Sequence, residues 1–164
     1  MTIVQQRAAT DSILALSSFD PPDYVDVFSV TIAPEMRRLP DQWARAGVER
    51  GAGRAGQFVW RRLLGLRLVP GAEHIGGWKV GARGEDWIRL EASSWFLSAQ
   101  IVMKIDGGEL FVATLIRYDR PLARMVWIPL SIGHRAAMPR LLRRAGRGRA
   151  LRSVDRISHE EVLP

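Results

Sequence analysis

The chain has 164 residues, 47% of them hydrophobic and 25% charged, which suits one globular domain with a real core and excludes a disordered or collagen-like chain. It contains no cysteine, so disulfides, thiolate nucleophiles and Cys-ligated metals are excluded together. The net charge of +7 is uneven: residues 133–164 carry 8 Arg against 3 acidic residues, and residues 1–132 carry 16 basic against 14 acidic ones.

Residues 1–22 read as a loose lead-in, closed by the turn signal Phe19-Asp20-Pro21-Pro22. Its apolar run, Ile13–Leu16, is too short for a secretory h-region, and nothing in the chain is long and apolar enough for a membrane span, so a cytoplasmic location is expected. Tyr24–Ile32 alternates: Val25, Val27, Ser29 and Thr31 share one face, Tyr24, Asp26, Phe28, Val30 and Ile32 the other. β-branched and aromatic residues dominate it, which predicts a strand.

Pro34 and Pro40 then interrupt the chain. Asp41 is placed to cap a short helix over Gln42–Glu49, with Trp43, Ala46 and Val48 inward. Gly51–Gly56 reads as a flexible joint. A second helix is expected over Gln57–Leu64, with Phe58, Leu63 and Leu64, and Val59 or Trp60, as its buried stripe and Gly65 as its stop.

From there the period changes to two. Strands are predicted at Ile75–Ala82, Asp86–Ser93, Trp95–Ile105, Glu109–Tyr118 and Leu122–Ile128, with Leu66–Val69 as a short extra one. Short turn-like connections make neighbours antiparallel hairpins. In the longest strand Trp95, Leu97, Ala99, Ile101 and Met103 form one wholly apolar face, which must look into a core or a pocket. Pro129 suits the first turn of a final helix with Met138, Leu141, Leu142 and Ala145 on one side and Arg140, Arg143, Arg144 and Arg147 elsewhere. Pro139 should kink it. Residues 148–164 read as a mobile basic tail, leaving 23–147 as the domain proper.

The order predicts an α+β fold: a curved antiparallel sheet of six or seven strands, two short helices after the first strand, and a long C-terminal helix packed over the sheet with a cavity beneath. That order resembles the helix-grip fold of the START/Bet v 1-like (SRPBCC, polyketide cyclase-like) superfamily. The residues carrying the resemblance are Asp23-Tyr24-Val25-Asp26-Val27-Phe28, Leu63-Leu64-Gly65-Leu66-Arg67, Gly76-Gly77-Trp78 and the Trp127…Pro129…His134-Arg135 stretch before Leu141-Leu142. The local text is more specifically similar to the DUF2867 family of uncharacterised bacterial proteins. The resemblance spans residues 20–147 and implies an apolar cavity for a lipid-, sterol- or polyketide-like ligand. It carries no catalytic residues across.

Several motifs have a bland reading beside a functional one. Gly51-x-Gly53-x-x-Gly56 matches the dinucleotide-binding text, but no buried strand precedes it. His74, His134 and His159 lack metal spacing, so no metal and no cofactor are expected. Glu91 alternates with Arg89 and Trp87 and belongs either to a solvated strand face or to a cavity; with His134 it is the candidate acid or base. Trp78, Trp95, Leu97, Ala99, Ile101, Met103, Met138, Leu141 and Leu142 are either plain core or the wall of a ligand cavity. The Arg cluster from Arg135 to Arg156 lacks interleaved aromatics, which makes nucleic acid an unlikely partner and leaves an anionic surface as an alternative to simple solvation. The expected function is binding of a small hydrophobic molecule, preferred over a cyclase- or hydratase-type enzyme working in the same cavity. Nothing in the sequence identifies a protein partner.

Overall fold

The alternation at Tyr24–Ile32 becomes a central strand of a seven-stranded sheet in the computed structural model, which describes residues 2–6, 11–34 and 38–147. The strands are β1 (Ile3–Gln6), β2 (Tyr24–Thr31), β3 (His74–Ile75), β4 (Trp78–Arg83), β5 (Trp87–Ser93), β6 (Leu97–Asp106) and β7 (Glu109–Tyr118). Their spatial order is β1-β2-β7-β6-β5-β4-β3, with every neighbouring pair antiparallel. The helices are α1 (Asp11–Leu14), α2 (Pro40–Arg45), α3 (Gly53–Phe58) and α4 (Pro121–Arg147). The α+β class, the meander and the long helix over the sheet follow the expected helix-grip arrangement.

The lead-in is not loose where it is described. Ile3–Gln6 pairs with Val27–Val30 as an edge strand. Ile13 and Phe19 are buried against Val27, Val102, Ala113 and Leu115 on the sheet's outer face. Apolar residues on both faces of β2, β6 and β7 demand cover on both sides, and this segment supplies the second cover.

Leu122–Ile128 is helix, not strand. β7 already has β2 on one side and β6 on the other, so a strand following it cannot pair beside β7 as a hairpin. Pro121 fixes φ at the helix start, so α4 begins there and runs for 27 residues through Pro129 and Pro139. Leu66–Val69 joins no ladder; Arg67 N donates to Ser93 O and Val69 N to Gly77 O as isolated bonds.

The helical stretch also departs from expectation. Asp41 makes no cap: Leu39 precedes the first turn, and Asp41 pairs with Arg83 at 3.3 Å instead. Residues 46–51 and 59–63 continue α2 and α3 as wider π-type turns, so the expected joint at Gly51–Gly56 shrinks to a bend at Ala52, with Gly53 at φ 56° opening α3. Gly51 is buried, and a Cβ there would lie 3.2 Å from the Leu141 carbonyl oxygen, so small size lets α4 approach. Phe58 and Leu63 are exposed; Leu64 carries the burial, and Trp60 meets Trp78 edge-on at 5.3 Å. Gly65, at φ 61°, ends the helix as its sequence position predicts.

The main core lies between the sheet's inner face and the helices. Phe28, Val30, Val112, Ile116, Leu97, Met103, Leu90 and Trp78 from the strands meet Trp43 and Val48 on one side and Trp127, Met138 and Leu142 of α4 on the other. Arg38 closes the far end of α4, donating to the carbonyls of Ala145 and Gly146 and lying over the Trp43 ring. A cation there suits the negative end of the helix.

Candidate functional site

Strand register sets one row across the sheet's inner face. Asp26 opposes Thr114, Thr114 opposes Ile101, and Ile101 opposes Leu90. α4 crosses above, and Trp127, Ser131 and His134, spaced four and three apart, point down on one helical face. His134 Nε2 lies 3.1 Å from Thr114 Oγ1 and 3.3 Å from Asp26 Oδ2. The Tyr24 hydroxyl donates to the same Asp26 Oδ2 at 2.8 Å. The Trp127 ring stands edge-on to Tyr24 at 5.3 Å and tilts over His134 at 5.5 Å.

The Asp26 side chain is 3% exposed, and that of His134 is 23% exposed. Burying a carboxylate costs free energy unless its lone pairs are used. Oδ2 is used twice, whereas Oδ1 is buried without a partner, as is Trp127 Nε1. Burial, then the Asp26 charge and its hydrogen bond, push the Tyr24 phenol well above its ordinary value, opposed by Arg135 and Ser131. Tyr24 is therefore a fixed donor. A carboxylate facing Nε2 favours the imidazole tautomer with its proton on that nitrogen, leaving the Nδ1 lone pair as the basic position.

Beside this cluster one apolar side chain keeps some solvent exposure. Ile101 sits mid-strand on the inner face and is only half-buried, while its face-mates Ala99 and Met103 are buried. The row thus offers an apolar floor next to a carboxylate, an imidazole, a phenol and a hydroxyl. Such a set can hold a carbonyl or hydroxyl group and move a proton to or from it.

The residues singled out from sequence divide sharply. His134 is in the cluster. Glu91 is not: it lies on the opposite face of the sheet, since Leu90, its neighbour, opposes Ile101. Glu91 pairs with Arg89 at 2.8 Å and borders an open outer groove of about 410 Å³ with Ser18, His74, Lys79 and Gln100. One site built from Glu91 and His134 is therefore excluded.

Of the apolar set, Trp78, Leu97, Ala99, Met103, Met138 and Leu142 are all buried, at most 7% exposed, within the single main core. Residues walling an empty cavity would keep accessible surface, so these six are core. Ile101 and Leu141 are half-buried at its margin. Trp95 is 60% exposed, in the turn before β6, because its strand starts at Leu97; it packs edge-on against Phe96, with Arg120 over its ring. The Arg cluster lies partly on α4; Arg149, Arg152 and Arg156, and the expected mobile tail, fall outside the described residues.

Tyr24, Asp26, Thr114 and Ser131 were not singled out from sequence as site residues. The available signal was a carboxylate on the otherwise apolar face of β2, between Tyr24 and Phe28. No protein-family model matches this sequence, and no curated protein matches it.

Proposed function

We propose that this protein binds a small, mostly apolar molecule beside Ile101, beneath the C-terminal helix, and engages one polar group of it with Asp26, His134 and Tyr24. The observation that carries the reading is the buried Asp26 carboxylate, which spends one oxygen on His134 and Tyr24 and leaves Oδ1 unpartnered. Buried polar atoms in native proteins are almost always satisfied, so an orphaned carboxylate oxygen in an apolar row marks a position for a donor. Membership of the START/Bet v 1-like superfamily, and of its DUF2867-like branch, belongs to the same proposal and is supported by the helix-grip architecture.

The Asp26–His134 pair favours acid–base chemistry as a second step of the same reading. With Nε2 held by the carboxylate, Nδ1 accepts a proton from a bound hydroxyl or an activated C–H, as a hydratase or cyclase requires. Glu91 has no part in it.

Native mass spectrometry of the protein purified from cells, beside a denatured control, tests the reading. A small-molecule adduct lost on denaturation, and absent from folded Asp26→Asn and His134→Ala variants, is the expected result. An adduct retained by both variants would move the site elsewhere. No adduct, with no shift in melting temperature across lipid and polyketide panels, would overturn the binding reading.

A further inference from the structure

The outward side of α4 is divided along its length. Leu122, Met125, Ile128 and Ile132 recur every three or four residues and form an exposed apolar stripe, with Met125 75% and Ile132 65% accessible. On the same side, further along, Arg140, Arg143, Arg144 and Arg147 are exposed, and among the described residues none of the four is ion-paired. The helix holds six Arg and no Asp or Glu in its 27 residues. The exposed Trp95 joins the apolar end, because Arg120, at the foot of α4, donates to the Trp95 carbonyl at 3.1 Å and covers its ring.

We propose that this face docks on an anionic lipid surface, with Trp95 and the apolar stripe in the headgroup–acyl boundary and the arginines on the lipid phosphates. The argument is chemical complementarity. A surface that seats both halves must be apolar at one end and negative at the other within one helix length. An anionic bilayer offers both along any line through its interface. A nucleic acid matches only the arginines, and a second copy of this chain brings the same positive charge. No helix among the described residues is long and apolar enough to cross a membrane, so the attachment is peripheral. The proposal is independent of the ligand reading, because the docking residues point away from Asp26 and His134.

Co-sedimentation of the full chain with vesicles of phosphatidylcholine alone, and of phosphatidylcholine mixed with phosphatidylglycerol, tests it. The full chain is expected to pellet with the anionic vesicles only, and less as salt rises. Arg143→Ser with Arg144→Ser, and separately Met125→Ser with Ile132→Ser, should each lower partitioning about tenfold or more. These positions are exposed, so an unchanged melting temperature confirms that the variants fold. Absent binding, equal binding to neutral vesicles, or partitioning unmoved by either pair overturns the proposal. A dimer dissolved by Met125→Ser with Ile132→Ser would assign the stripe to a second copy and overturn it equally.

Discussion

His134 Nε2 lies 3.3 Å from Asp26 Oδ2, a polar contact that joins the C-terminal helix to the second strand across the main core. Its energetic weight is unequal on the two sides. Asp26 accepts from both Tyr24 and His134, so Asp26→Ala strands two donors and should cost about 2–3 kcal/mol. Thr114→Val removes one hydroxyl and leaves the carboxylate contacts in place, for about 1 kcal/mol or less. Urea denaturation of the two variants gives the comparison, and equal losses would show that Asp26 is not the hub.

The two tyrosines of the chain, Tyr24 and Tyr118, both titrate above the ordinary phenol range. Burial is the first cause for each, followed by a carboxylate: Asp26 for Tyr24 and Asp23 for Tyr118. The folded chain therefore keeps phenol protons that the unfolded chain releases near pH 10 or so. Raised folded values mean stability that is complete below that pH and declines as pH climbs through the folded values. Tyrosinate absorbance should rise later in native than in denatured protein, and the urea midpoint should fall between neutral and strongly alkaline pH. Coincident absorbance titrations would contradict the burial of both rings.

Trp78 and Trp95 look alike in sequence and differ in the fold. Trp78 is 2% exposed and braced by Trp60, so Trp78→Ala should cost about 3–5 kcal/mol. Trp95 is 60% exposed, and Trp95→Ala should stay within about 1 kcal/mol. Thermal melts of the two variants separate them at once; a Trp95→Ala loss as large as that at Trp78 would mean the turn before β6 is packed, not open.

Sequence patterning exposes most of the sheet because period-two alternation is local. β2, β4, β5, β6 and β7 all lie where the alternation puts them, within a few residues. What it misreads depends on partners. Leu122–Ile128 has strand-like composition, yet both sides of the preceding β7 are already paired. Ile3–Gln6 has little local signal and is a strand only because β2 offers a free side. The site shows the same division. His134 is visible as a lone histidine, but its partners Asp26 and Thr114 are 108 and 20 residues away and meet it only through register and helix placement. Glu91 and His134 stand level in the sequence because alternation separates two faces without saying which one the helix covers.

Gln100 tests the claim that the lead-in is part of the fold. It is 1% exposed, on the outer face of β6, and its carbonyl oxygen accepts from Ser17 Oγ at 2.9 Å and Ser18 N at 3.3 Å, while its amide donates to Ser18 Oγ. Arg89 holds the adjacent Leu16 carbonyl at 2.7 Å. Two side chains of the sheet thus fasten the segment that buries Ile13 and Phe19. Gln100→Leu keeps much of the volume but removes every one of these bonds, leaving the Ser17 and Ser18 groups unsatisfied, at about 1–3 kcal/mol. The loss should be local as well as global. Limited proteolysis within residues 11–22 should quicken well before the sheet unfolds, with hydrogen exchange in β6 and β7 little changed. Uniform acceleration across the chain would mean that the segment and the sheet open together, and unchanged cleavage would mean that the apolar contacts of Ile13 and Phe19 hold it without Gln100.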